Sequence, residues 1–263
     1  MIQIFDPLDP RVAPYSLLKA KEEKTDYFIA DNEKTVVRLL ESSLEVVSIF
    51  SIEKYLSKHK RLISTKISNP NSIFVADRSV FESTIGFSVH QGMMAVAKKP
   101  ELNDPNLSFP IIVCNRIFDA ENIGSIIRTS AAFGISSLLL DKKSSFPYLR
   151  RSVRVSMGNI FSQKIFQTDS LGSTIEGYKA KNIPVIGMSL PRNDQELARS
   201  FSLIEEFRFP ERFLLVLGNE AEGIDPDILR LCDRLIYIPM KNGVDSLNVS
   251  HSLAVALAFS QRR

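Results

Sequence analysis

Short uninterrupted apolar runs alternate along the 263-residue chain with stretches whose apolar residues recur every three or four positions. In the first hundred residues, YFIAD (27–31), EVVSIFS (45–51), SIFVAD (72–77) and GMMAVA (92–97) predict strands. TVVRLLES (35–42) and SIEKYLSKH (51–59) carry the helical period. These elements predict a small α/β domain over residues 1–98. Prolines, asparagines and a serine then crowd into KKPELNDPNLS, so residues 99–108 read as a linker. From 109 to 263 the alternation is more regular. Strands are predicted over 110–115, 136–141, 182–190, 212–218 and 234–240, and helices over 122–133, 150–159, 171–181, 225–232 and 248–261. Continuous apolar strands separated by helices imply a parallel sheet covered on both faces. Gly134 stands where a glycine ends the first of these helices.

Composition narrows the class of protein. With 44% hydrophobic and 24% charged residues, the chain is that of an ordinary soluble protein with a substantial core. No apolar stretch approaches the ~18 residues of a membrane span, and the opening MIQIFDPLDPR has no signal-peptide pattern, so a cytoplasmic protein is expected. Cys114 and Cys232 stand alone, and His59, His90 and His251 are scattered, which argues against a disulfide framework or a metal centre. A net charge of +3 identifies no partner by itself. Cations do concentrate in KHKR (58–61) and LRRSVR (149–154), each readable as a solvated face or as a phosphate-binding patch.

In a sheet of this kind ligands bind beyond the carboxyl ends of the strands. Three polar segments fall there: DAENIGSIIR (119–128), GNEAEGI (218–224) and PMKNGVDSLNVS (239–250). Asn122 sits near a helix start, where it could cap free backbone N–H groups, and Gly124 permits close approach. Arg128 could clamp a phosphate through its guanidinium, or be a surface cation. Glu220 could accept from a hydroxyl or amine, hold Arg128, or belong to a plain polar turn. Ser246, Asn248 and Ser250 supply more polar groups than one helix cap needs and suggest a polar pocket. No GxGxxG, Walker A, GxSxG or HExxH sequence accompanies them.

Together, NIGSIIRTSAAFG, LVLGNEAEGI and IPMKNGVDSLNVSHSLAVAL, in that order, resemble the three motifs of the SpoU/TrmH-type RNA 2′-O-ribose methyltransferases of the SPOUT superfamily. FIADNEKTVVRLL and VHQGMMAVAKK are similar to the substrate-binding domain that many members carry. The resemblance implies an α/β fold with a carboxyl-terminal trefoil knot, a rare exception to unknotted topology, and a smaller amino-terminal α/β domain. It implies S-adenosylmethionine as cofactor, a homodimer, and structured RNA (ribosomal or transfer) as partner. Gly218, Ile238 and Leu247, with Asn219 and Met240 nearby, are then the donor-binding residues. Asn122, Arg128, Glu220, Ser246 and Asn248 match the family's polar active-site positions. On this reading Glu220 orients Arg128, and Ser246 and Asn248 fix the ribose. Arg150, Arg151 and Arg154 become phosphate contacts beside the active site.

The chain departs from the family pattern at several places. Ala120 replaces a frequent proline, and His251 and Ser252 replace residues usually small or apolar. Ala221 replaces a frequent glycine and would strain the turn if the position needed positive φ. A catalytically silent RNA-binding protein that kept the fold is the alternative reading, and an enzyme acting on a small nucleotide is a third.

Overall fold

A computed structural model describes residues 1–16, 25–88, 91–191 and 201–262 of the chain. It divides into two compact units, Met1–Pro100 with Pro147–Ser162, and Glu101–Phe146 with Gln163–Arg263. Residues 147–162, expected in the second domain, thus group with the first unit.

The first unit is built on a five-stranded sheet in the order β1-β4-β3-β5-β2. Its strands are β1 (Ile2–Gln3), β2 (Tyr27–Asp31), β3 (Val46–Ser51), β4 (Ile73–Val75) and β5 (Met93–Lys98). β1, β4 and β3 run parallel, and β5 is antiparallel to both β3 and β2. Around it lie α1 (Ala13–Ser16), α2 (Glu33–Glu41), α3 (Glu53–Lys58), α4 (Lys60–Lys66) and α5 (Arg78–Ile85). Phe50 stacks on Phe81 at 4.7 Å in the core, beside a buried Tyr15.

A further helix, α7 (Arg150–Val155), joins this unit for identifiable reasons. Phe28 of β2 meets Tyr148 and Phe161, with ring centroids 5.0 and 5.7 Å away. Arg150 binds Asp31 through Nε at 2.9 Å and Nη2 at 2.8 Å, with both side chains largely buried. Arg38 Nη1 donates to the Met157 carbonyl at 2.6 Å. Two aromatic contacts and a largely buried ion pair on Asp31 Oδ2 outweigh proximity in sequence.

The second unit carries a seven-stranded, wholly parallel sheet in the order β10-β12-β9-β11-β6-β7-β8. Its strands are β6 (Ile111–Cys114), β7 (Ser137–Asp141), β8 (Lys164–Thr168), β9 (Val185–Met188), β10 (Phe201–Leu203), β11 (Leu214–Leu217) and β12 (Arg234–Tyr237). Every residue of β6, β7 and β11 is buried, as continuous apolar runs covered on both faces require. Helices α6 (Ala120–Ala132), α8 (Leu171–Lys179), α9 (Pro226–Leu229) and α10 (Val249–Ser260) complete the unit. Gly134, with φ +75, follows α6 in the left-handed conformation expected of it.

The expected linker is in large part a fixed edge of this unit. Gln167 N donates to the Leu102 carbonyl at 2.8 Å, and Ser108 N donates to Ser137 Oγ at 2.8 Å. Leu107 and Phe109 join the apolar cluster of β6, β11 and α8.

The path after β12 matters most for the site. β12 lies between β10 and β9, yet α10 packs against α6, the helix that follows β6. The connection therefore crosses the carboxyl edge of β9 and β11 before α10 begins. Among the described residues no helix is long and apolar enough to cross a membrane.

Candidate active site

The carboxyl edge of the second sheet gathers the loops after β6, β11 and β12. Asp119 caps α6 by accepting from Glu121 N at 2.8 Å. Asn122 is therefore not the cap that its position in sequence suggested. It is the third residue of the helix, only 7% exposed, and its Oδ1 accepts from Asn248 Nδ2 at 2.9 Å.

Asn248 is itself the cap of α10, where its Oδ1 accepts from Ser250 N at 2.9 Å and Ser250 Oγ at 2.7 Å. With the oxygen so committed, both amide hydrogens point away from α10. One goes to Asn122 and the other to Glu220 Oε1 at 2.8 Å. A single asparagine thus joins residues from all three loops into one polar row. Glu220 was expected to orient Arg128, but its hydrogen bond is to Asn248. Arg128 projects from α6 exposed, with no hydrogen bond or ion pair among the described residues.

Next to this row lies a cavity of about 750 Å³. Gly218, Asn219, Ile238, Met240 and Leu247, the five donor-binding candidates, all line it, together with Glu220 and Ser246. Its volume falls in the ~300–1,000 Å³ range of small-molecule sites. Leu217, Ile236, Ile238 and Leu247 give it apolar walls, while Asn219, Glu220, Ser246 and Ser252 add polar groups.

The shape of the cavity depends on a closely folded loop. Asn219 N donates to the Gly223 carbonyl at 3.0 Å, and Gly223 N returns a bond to the Asn219 carbonyl at 2.8 Å. Asn219 Oδ1 also accepts from Ala221 N at 2.8 Å. A Cβ on Gly218 would come 2.3 Å from the Gly223 carbonyl carbon, so glycine is required there by close approach. Gly223, with φ +73, is the left-handed residue of the turn; Ala221 is not, and its replacement of glycine carries no backbone strain.

A network that the sequence reading missed supports this loop from below. Asn115, 2% exposed, donates to Asp141 Oδ2 at 3.0 Å and accepts from Asp225 N at 2.8 Å. Arg116 N donates to Asp141 Oδ2 at 2.9 Å, and its guanidinium reaches Asp225 at 2.7 Å and Glu222 at 2.5 Å. Asp141 Oδ1 accepts from Ser144 N and Ser144 Oγ, both at 2.7 Å. Burial alone would raise the Asp225 carboxyl, but hydrogen bonds from Arg116 and Asn115 and the nearby Arg116 and Lys143 charges hold it below the ordinary carboxylate range. Asp225 in turn raises the Arg116 guanidinium further. A polar residue directly after each apolar run (Asn115, Asp141) was the available signal.

The three arginines proposed for RNA lie in the first unit. Arg150 is committed to Asp31 and is a structural cation there. Arg151 and Arg154 are exposed on α7. In KHKR, Lys58 and His59 both bind Glu33, at 2.6 and 2.7 Å, while Lys60 and Arg61 are exposed.

A parallel sheet with a returning carboxyl-terminal helix, and a glycine-closed loop beside a cavity at its carboxyl edge, define an α/β protein of the methyltransferase class that the motifs resemble. The model of the SpoU rRNA Methylase family matches residues 110–258. The chain belongs to that family. A 23S rRNA (guanosine(2553)-2′-O)-methyltransferase of Bacillus subtilis is 24% identical, over 97% of each chain. A Mycobacterium bovis relative described as an uncharacterized tRNA/rRNA methyltransferase is 27% identical, over 98% of this chain and 90% of its own length. An AdoMet-bound rRNA methyltransferase from Sinorhizobium meliloti superposes with a TM-score of 0.84 at 19% identity, over 99% of this chain and 97% of that one. That last likeness establishes the fold, the α/β class expected from the motifs.

Proposed function

We propose that the cavity holds S-adenosylmethionine and that the polar row beside it, with Arg128, presents a ribose 2′-hydroxyl of ribosomal or transfer RNA for methylation. The chain is an S-adenosylmethionine-dependent RNA 2′-O-methyltransferase, in keeping with its family and with relatives named for that reaction. The single observation that carries the assignment of roles is the Asn122–Asn248–Glu220 row, which ties the helix bearing Arg128 to the wall of the cavity.

When bound, the donor supplies a sulfonium methyl that the hydroxyl oxygen attacks in line. Gly218, Asn219, Ile238, Met240 and Leu247 would hold it, the cavity offering apolar walls and the polar and backbone groups of its loops. Arg128 binds the phosphate next to the target ribose and polarises the hydroxyl. A guanidinium, which stays protonated in proteins, does not serve as the proton acceptor. Of Asn122, Arg128, Glu220 and Asn248, only the Glu220 carboxylate can accept a proton, and only its Oε1 is engaged by Asn248. Ser246 contacts the ribose from the cavity side. Fixing both reactants in near-attack geometry can remove ~7–11 kcal/mol of the barrier.

Arg151 and Arg154 serve as phosphate contacts on the first unit, which makes RNA binding salt-dependent. The protein works as a homodimer in the cytoplasm with its RNA substrate, as the family resemblance implies; light scattering tests the dimer. Incubation with labelled S-adenosylmethionine and total RNA, followed by nucleoside analysis, tests the reaction. Label recovered in 2′-O-methylated nucleosides is expected. Label confined to methylated bases contradicts the proposal.

A further inference from the structure

We infer that Arg116, which does not line the cavity, is a positioning residue that sets the form of the donor loop, residues 218–225. The inference rests on the donor reading of that cavity. Arg116 follows β6 with φ +59, in the left-handed region that an arginine seldom occupies. A conformation of this kind persists where its surroundings impose it. Here four bonds do so. The amide donates to Asp141 Oδ2 at 2.9 Å, and the carbonyl accepts from Asn219 Nδ2 at 3.2 Å. Nη1 donates to Asp225 Oδ1 at 2.7 Å, and Nη2 reaches Glu222 Oε2 at 2.5 Å.

Three of these partners belong to the donor loop, at its start (Asn219), its turn (Glu222) and its exit (Asp225). Two of them, Asn219 and Glu222, line the cavity. The left-handed backbone turns the Arg116 carbonyl and guanidinium toward the same loop, so one residue grips it along its length. The Arg116 side chain is 24% exposed, and such charge-assisted bonds are stronger than neutral ones. The same residue leads into α6, which carries Asn122 and Arg128. Arg116 therefore couples the loop that shapes the donor cavity to the helix that presents the acceptor.

The test separates the backbone from the side chain. Glycine adopts φ near +59 freely, so Arg116→Gly permits the turn while removing the guanidinium grip, and Arg116→Lys, which keeps an L side chain there, controls for glycine's added backbone freedom. Hydrogen exchange of the Asn219–Gly223 amides is measured on donor-free protein, and S-adenosylmethionine affinity by calorimetry. Arg116→Gly should speed exchange in that loop and weaken donor binding, each by about tenfold, with Arg116→Lys in between. Glu222→Gln should lose part of the same effect, and little more when combined with Arg116→Gly. Exchange and affinity within about twofold of wild type in Arg116→Gly would overturn the inference. A wild-type protein that binds no donor contradicts the donor reading instead, and the exchange measurement still decides the grip.

Discussion

At Gly218 the main chain of residues 223–224 passes so close that a β-carbon would lie 2.3 Å from Gly223 C and from Ile224 N. Those are backbone atoms, so no rotamer change relieves the clash. Gly218→Ala should destabilise the second unit by about 1–3 kcal/mol in urea unfolding and abolish donor binding. Wild-type stability together with wild-type affinity would contradict this account of the loop. The glycine was visible in GNEAEGI as a residue; the reason for it was not, since the chain that crowds it comes from the far side of the same turn. Asn122 was misread for a related reason. Asn near a helix start suggests a cap, and only the arrival of Asn248 shows that Asp119 takes that role. Arg150 was legible as a cation but not as the partner of Asp31, far away in sequence.

The elements divide in the same way. Buried central strands such as β6, β7 and β11 were plain in the pattern because both faces are covered. The edge strands β8 and β10 were missed, being half-exposed and mixed in composition. Helix α10 depends on its capping residue in a manner that can be measured. Asn248→Ala removes a cap worth about 1 kcal/mol, and it also frees Asn122 and Glu220. Asn248→Ser restores a cap but not the two amide donors. Calorimetry should therefore show near-normal stability for the serine variant, and its methyl transfer should stay low; recovery of both would remove Asn248 from the site. The loop leading into α9 makes a prediction in pH. Because the Asp225 carboxyl is held below its ordinary range, its contribution to stability is present above its unfolded pKa of ~3.9 and is lost as pH falls through the lowered folded value. The stability gap between wild type and Asp225→Asn should stay constant from about pH 8 to 5 and narrow below about pH 4. A gap that widens on acidification would contradict the Arg116–Asp225 pairing.

For the whole molecule, continuous apolar strands separated by helices indicated the parallel sheet, and the three motifs indicated the family of the unit that carries it. The boundary was less legible, because residues 147–162 leave their neighbours in sequence to pack with β2 and α2 of the first unit. A segment that changes units carries no compositional mark; its attachment depends on Tyr148 and Phe161 finding Phe28. Within the second unit the return of the chain from β12 to α6 is what brings the cavity and the Asn122–Asn248–Glu220 row together. On the proposed function two tasks are separate: donor binding by the loops after β11 and β12, and acceptor activation by Arg128 on α6. Arg128→Lys tests that separation most directly, with S-adenosylmethionine affinity and methyl transfer to RNA measured on the same preparation. The account predicts donor affinity within about twofold of wild type and transfer reduced by about 10²–10³-fold. Transfer at the wild-type rate, or donor binding lost along with it, would contradict it.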